Sequence, residues 1–207
     1  MFLGITLGAM ILGRITFDLS AGFYTVFIRP WLNLFSFTMG VFCTALFAYI
    51  AAIFLVTEVS SQIESARYIR LMRRALVSTI ISGFFVFITA SLEGHDLTTE
   101  FFNAPLSIIC LVLAGLMVAV ILYLTSRKKK FLLRIATGFQ VTAVVVGWFA
   151  IQYPIMINVE NGDHLTFFNA AAPQATLYQL LIALLVGLLL VVPGFLYLFR
   201  VFKVKKT

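Results

Sequence analysis

The chain has 207 residues and a formal net charge of +7; 62% of its residues are hydrophobic and only 11% are charged. Soluble domains average about 45–50% apolar and about 25% charged residues, and the mean hydropathy of +1.07 lies far from that class. The composition therefore excludes a soluble enzyme, a disordered chain and a secreted disulfide scaffold, and it indicates an integral membrane protein.

In chain order, the first apolar run covers residues 2–13. It is short for a transmembrane helix, which needs about 20 apolar residues, and it lacks the basic start and cleavage site of a signal peptide. A loop over residues 14–32 follows. Longer apolar runs then predict five membrane spans at about 33–56, 75–92, 105–125, 133–151 and 174–199.

These runs are too long, and alternate too little, to be strands of a membrane barrel. Helices satisfy their own backbone hydrogen bonds in the bilayer, so helices are the expected spanning structure. We therefore predict an all-α integral membrane bundle, with five clear transmembrane helices and a short N-terminal sixth. The whole chain, residues 1–207, is predicted to be one transmembrane domain.

Basic residues collect in three segments of the chain. Residues 57–74, the turn 126–134 and the tail beyond residue 199 hold 13 of the 15 lysines and arginines. The loops 93–104 and 152–173 contain none, and their acidic residues are Glu93, Asp96, Glu100, Glu160 and Asp163. Because basic loops stay in the cytoplasm, we predict a bacterial-type cytoplasmic membrane location, a cytoplasmic C-terminus and external acidic loops. Topology thus explains the net charge, and no nucleic-acid partner is predicted.

The interiors of the five predicted spans offer few groups for chemistry. They contain no Asp, Glu, Lys or His, and such residues are the usual mark of an ion path or proton relay. Both histidines, His95 and His164, fall in the acidic loops, so histidines on facing helices cannot hold a haem. Cys43 and Cys110 are interpreted as small hydrophobic residues, and Gln140 is expected to join helices. We predict no catalytic, cofactor-binding or metal-binding residue.

The loop 152–173 is the most distinctive stretch of the sequence. Its apolar residues interleave with amides, which favours a loop lying at the membrane interface, and Trp148 and Tyr153 fall where aromatic belts lie. An anchored interfacial loop is the first interpretation. The functional alternative is one wall of an amphipathic quinol or lipid site, in which Trp148, Gln152 and Tyr153 contact the quinone or lipid.

Two stretches have an order of residues typical of a known family. The first comprises Gly147-Trp148, Gln152-Tyr153-Pro154, Leu165-Thr166, Asn169-Ala170-Ala171-Ala172, Thr176-Leu177, Pro193 and Phe202-Lys203. The second comprises Pro30, Asn33-Leu34-Phe35, Gly40 and Ala51-Ala52-Ile53-Phe54-Leu55-Val56, followed by Glu58 and Arg67. In order and spacing the chain resembles subunit II of the cytochrome bd-type quinol oxidases, most closely their cyanide-insensitive branch.

The resemblance implies a complex that passes electrons from quinol to oxygen. In that family subunit I binds the haems and the oxidisable quinol, whereas subunit II has a similar fold and typically binds no haem. The present chain matches mainly the C-terminal half of subunit II. The acidic proton-path residues of the N-terminal half have no counterpart here, so that role is assigned to no residue. A split subunit or a truncated gene product would each account for this.

We therefore expect a non-catalytic subunit, or half-subunit, of a bd-type terminal quinol:oxygen oxidase that supports the haem-bearing subunit in aerobic respiration. Haems b and d and quinone are expected in the partner or complex. The expected partners are the haem-binding subunit I, membrane lipid and a second chain supplying the N-terminal half. The alternatives are a small transporter or channel subunit, which needs a polar cavity at mid-membrane, and a membrane scaffold without an oxidase partner.

Overall fold

A computed structural model of the chain describes residues 1–59, 61–160, 162 and 164–203. Within these residues the helices are α1 (Phe2–Ile11), α2 (Leu34–Glu58), α3 (Gln62–Leu92), α4 (Leu97–Asn103), α5 (Pro105–Ser126), α6 (Lys130–Gln152) and α7 (Gln174–Lys203). Two short antiparallel strands, β1 (Ile155–Ile157) and β2 (Leu165–Thr166), form the one small sheet of the described residues. Helices α2, α3, α5, α6 and α7 are long and apolar enough to cross a membrane. The predicted all-α membrane bundle with a short N-terminal helix is confirmed.

Helix α3 includes the arginine-rich segment before its predicted membrane span of 75–92, a segment whose helical spacing predicts a cytoplasmic extension linking two spans. It begins at Gln62 because its arginine-rich first half has apolar residues at helical spacing and contains no Gly or Pro to interrupt it. Met72 is fully buried, whereas Arg67, Arg70, Arg73 and Arg74 are exposed. The basic segment is therefore a continuation of the membrane helix that carries its charges on the outside.

Helix α1 packs closely against α2. Its ten residues cover only about 15 Å, half the thickness of the bilayer core. A Cβ atom added to Gly8 would lie 2.6 Å from Cα of Ser36, and one added to Gly4 would lie 2.7 Å from Cα of Gly40. Because only hydrogens fit between the two backbones, small residues at these positions are what allow a short helix to dock.

Two buried clusters hold residues 1–167 together. One joins α2, α3, α5 and α6 near their basic turns through Tyr49, Ala52, Ile53, Val56, Met72, Leu76, Ile121, Leu124, Leu133 and Ala136. The other lies at the opposite, acidic end of the bundle and consists of Ile11, Leu12, Phe35, Met39, Val86, Ala90 and Leu97. The bundle therefore has a packed core at each end.

Residues 14–32 are folded rather than extended. A 3-10 turn covers Leu19–Ala21, and a π-helical turn covers Tyr24–Ile28. The carboxylate of Asp18 accepts hydrogen bonds from the backbone N–H and the hydroxyl of Ser20, at 2.9 and 2.6 Å. These bonds, the hydroxyl's first, lower the pKa of Asp18 below its usual value.

The segment from Phe168 onward is a separate compact unit. Within it, the carbonyl of Pro173 accepts hydrogen bonds from the N–H groups of Thr176 and Leu177 and so starts α7. The side chains of α7 between Leu180 and Leu198 are apolar on all sides of the helix. A helix that is hydrophobic all round is typical of a membrane span.

Candidate functional site

Trp148 and Gln152 lie in the last two turns of α6, at the acidic end of the bundle. Trp148 is half-buried, and its indole Nε1 atom is enclosed with no hydrogen-bond partner among the described residues. Buried indole N–H groups usually find a partner. The partner of this donor therefore lies outside the described side chains, as a water molecule or another bound group would.

A cavity of about 80 Å³ adjoins both side chains. It is lined by Ile11, Leu97, Glu100, Trp148, Ile151, Gln152, Ile155 and Asn158. The amide of Gln152 donates to the carbonyl of Met156 at 3.1 Å, and that of Asn158 donates to the carbonyl of Ile11 at 2.7 Å. A cavity that admits benzene has about 150 Å³. This one is too small for a quinone ring and suits a few water molecules.

Tyr153 lies outside that cavity wall. Its ring stacks on Phe167 with centroids 6.3 Å apart and also contacts Phe149 at 6.1 Å. The Tyr153 side chain is exposed. The structure thus brings Trp148 and Gln152 together at one cavity and places Tyr153 in a separate aromatic cluster.

A larger apolar groove of about 600 Å³ lies among α2, α3, α5 and α6. Trp148 lines this groove as well as the small cavity. Most of its wall is aliphatic or aromatic, and none of its described lining residues is charged. A groove of this kind accepts hydrocarbon, and it differs from the polar mid-membrane cavity that a transporter needs.

Two of the polar side chains along this groove, Tyr49 and Gln140, join helices. The hydroxyl of Tyr49 donates to Oε1 of Gln140 at 2.8 Å, and Nε2 of Gln140 donates to the carbonyl of Ala114 at 3.1 Å. Nearer the acidic end, the hydroxyl of Ser107 donates to the carbonyl of Gly147 at 2.8 Å. Gln140 therefore links α2, α5 and α6, as expected from the sequence.

The groove does not offer haem ligands. Proteins hold haem iron with His, Met, Cys or Tyr, and among the described residues lining the groove Tyr49 alone is of these types, with its hydroxyl already hydrogen-bonded. Nε2 of His95 lies 3.5 Å from Oε2 of Glu100, and Nδ1 of His164 accepts from the N–H of Val159 at 3.3 Å. Neither histidine is among the described residues that line the groove.

The loop carrying β1 and β2 is fixed to the end of α1 and to the residues that follow it. The N–H of Asn158 donates to the carbonyl of Met10 at 2.9 Å, and the N–H of Glu160 donates to the carbonyl of Ile15 at 2.8 Å. Arg29 pairs with Glu160 at 3.3 Å. Sequence reasoning missed Asn158, because an Asn in a loop carries no local signal of a contact with residue 11.

These features define a multi-pass helical membrane protein with an apolar interior groove and no charged residue among the described residues of its wall. The family model described as "Cytochrome bd terminal oxidase subunit II" matches residues 1–202. The chain belongs to this family, and the resemblance inferred from its sequence is confirmed.

The fold is also similar to a solved structure. A chain of the bd oxidase from Geobacillus thermodenitrificans matches with a TM-score of 0.74 and 21% sequence identity, over 99% of this chain and 61% of that chain. The present chain therefore spans about three fifths of the length of the chain that it matches. No curated protein matches the sequence.

Proposed function

We propose that the chain is a non-catalytic membrane subunit of a bd-type terminal quinol:oxygen oxidase and supports a haem-bearing subunit in aerobic respiration. The family match over residues 1–202 carries this proposal. The hydrogen bonds of Tyr49, Gln140 and Ser107 support it, because they join helices to one another. The chain's part is then to hold a rigid surface against its partner.

In this proposal the haems b and d and the oxidised quinol are bound by the haem subunit, as the family implies. The haem ligands would come from that subunit, in keeping with the hydrocarbon wall of the groove described above. This chain would shield the partner from lipid and fix its position. The C-terminus would lie in the cytoplasm of a bacterial-type cell, together with the basic turns of the bundle.

Purification under mild detergent tests the proposal. The tagged chain should bring down a haem-containing partner with the absorption spectrum of b- and d-type haems. Deleting the chain should abolish oxygen-dependent quinol oxidation by membranes, and re-expression should restore it. A chain that purifies without haem, and whose deletion leaves quinol oxidation unchanged, would contradict the proposal and favour the scaffold or transporter alternatives.

We also propose that Trp148 contacts a quinone or lipid whose tail occupies the apolar groove, whereas Gln152 lines only the smaller cavity. Trp148 lines the groove, and its enclosed Nε1 has no hydrogen-bond partner among the described residues, which favours this second role. Trp148→Phe keeps the aromatic ring and removes the donor, so it should lower the quinone or lipid extracted per purified complex. Tyr153→Phe is the matched control, because Tyr153 lies outside the cavity wall. If Trp148→Phe and Tyr153→Phe retain the same amount of quinone and lipid, Trp148 does not contact the ligand through its indole N–H.

A further inference from the structure

A cleft of about 280 Å³ opens at the basic end of the bundle, between the α2–α3 turn and the α5–α6 turn. Its floor is apolar and includes Val56, Ile69 and Leu133, which belong to or pack against the buried cluster at that end. Its rim carries the hydroxyls of Ser61 and Ser65. The cleft is larger than the roughly 150 Å³ needed for benzene, so it admits a phosphate with its esterified carbons.

Two lysines complete the rim. Lys128 and Lys130 both line the cleft, and none of its described lining residues is acidic. The Nζ of Lys130 donates to the carbonyl of Val59 at 2.7 Å; this bond holds the ammonium in place and leaves two of its three hydrogens. The nearest acidic residue along α2, Glu58, is paired with Arg134 at 2.8 Å. The cleft is therefore positively charged.

The backbone of Lys128 gives independent support. Its φ angle of +54° lies in the left-handed region, where glycine is ordinarily found at the end of a helix. A lysine at this position costs conformational energy that a glycine would not. The contacts of the lysine side chain are expected to offset this cost. The Lys128 side chain lines the cleft, so binding there would supply these contacts.

The charge pattern around the cleft indicates the level of the lipid headgroups. Helix α5 ends at Ser126, and the consecutive basic residues 127–130 follow at once. The guanidinium of Arg127 stacks over the ring of Tyr123 at 5.4 Å, an arrangement suited to the membrane interface. Helices α3 and α6 both begin beside the cleft, and their dipoles add to its attraction for anions.

We infer that this cleft binds the phosphate headgroup of an anionic phospholipid through Lys128 and Lys130, with the start of the acyl chains resting on its apolar floor. Basic pockets between transmembrane helices on the cytoplasmic side are suited to such headgroups. A basic loop that only sets topology needs exposed charges and no cleft. The residues of this cleft all belong to this chain, so the binding needs no oxidase partner.

The test uses the full chain, with any subunits that accompany it, purified in mild detergent. Its melting temperature is measured with phosphatidylglycerol, with phosphatidylcholine and with inorganic phosphate, and retained phosphatidylglycerol is titrated by native mass spectrometry. We expect phosphatidylglycerol to raise the melting temperature and the other two to leave it unchanged. An equal rise with inorganic phosphate would show a site for soluble anions, and an equal rise with phosphatidylcholine would show plain solvation by lipid. Either result would overturn the inference.

Three variants locate the site. Lys128→Gly removes a charge and relaxes the left-handed turn, so the protein without lipid should be at least as stable, while affinity for phosphatidylglycerol falls about fivefold. The double variant with Lys128→Gln and Lys130→Gln should lower the affinity for phosphatidylglycerol about thirtyfold. Lys129→Gln is the matched control, because Lys129 is exposed on the same turn and does not line the cleft. If Lys129→Gln lowers the affinity for phosphatidylglycerol as much as Lys128→Gly does, the affinity depends on net charge alone. That result would contradict binding in the cleft.

Discussion

The hydroxyl of Tyr49 on α2 donates a hydrogen bond of 2.8 Å to the amide oxygen of Gln140 on α6. Both side chains are buried among apolar residues, and Gln140 passes the connection on to the backbone of α5. These two hydrogen bonds between buried groups thus connect α2, α6 and α5.

Tyr49→Phe should therefore weaken the bundle. The change leaves Oε1 of Gln140 without its donor, and interhelical hydrogen bonds in membranes contribute about 0.6 kcal/mol on average and up to about 1.7 kcal/mol. We expect a loss in that range when the purified chain is unfolded with denaturing detergent. Tyr123→Phe is the control, since that side chain is exposed and its ring would still lie beneath Arg127. Equal losses in both variants would show that the buried bond contributes nothing.

Gly8→Leu should displace α1 from α2. A side chain at this position meets the backbone of Ser36 at 2.6 Å, and such overpacking costs about 1–3 kcal/mol. The expected results are a lower melting temperature and faster proteolysis of residues 14–32. Gly115→Leu provides the comparison, because an added Cβ there meets nothing within 4 Å. If both variants melt like the unmodified protein, the close contact between the two backbones is not required.

Glu93→Gln should destabilise the acidic end. The Glu93 carboxylate pairs with Arg14 through Oε2 and accepts the N–H of Leu34 through Oε1 at 3.0 Å. The Arg14 and Glu93 side chains are only 26% and 17% exposed, so we expect a loss of about 1 kcal/mol, larger than for a typical surface pair. The measurement is a double-mutant cycle with Arg14→Gln. Glu160→Gln should cost less, because its pair with Arg29 is longer and more exposed; the reverse order would contradict this ranking.

Cysteine labelling should reveal the orientation. In a background of Cys43→Ala and Cys110→Ala, Ser126→Cys lies at the basic end and Thr98→Cys at the acidic end, and both positions are exposed. Following the positive-inside rule, a membrane-impermeant maleimide added to intact cells should label Thr98→Cys only. Opening the cells should then expose Ser126→Cys. Labelling in the opposite order would reverse the proposed topology.

The sequence was sufficient to predict the five membrane-crossing helices, because each has an unbroken apolar run, whereas the short helix α4 has none and was not predicted. It also predicted the role of Gln140, since a lone amide in such a run has few other partners than a neighbouring helix. Gly4 and Gly8 have the spacing of a packing face, but the partners at Ser36 and Gly40 became evident only from the structure. The periodicity of small residues identifies the face of a helix that packs, but it does not identify the residues against which that face packs.

The candidate site was harder to predict. Trp148 and Gln152 share a cavity with Ile11 and Asn158, and these four residues come from three separate segments of the chain. Tyr153 directly follows Gln152 in sequence, yet it lies in a separate aromatic cluster because the helix ends between them. A cavity depends on contacts between distant segments, so sequence proximity was a poor guide to its wall.

The ion pairs at the acidic end neutralise the arginines that lie there. Arg14 and Arg29 are the two basic residues outside the three basic segments, and each has a carboxylate partner, Glu93 and Glu160 respectively. With the proposed topology these arginines lie on the face where the membrane potential would draw a free positive charge inward. Each pair is neutral as a unit, so the potential exerts no net pull on it, and the three basic segments that set orientation stay on the opposite face.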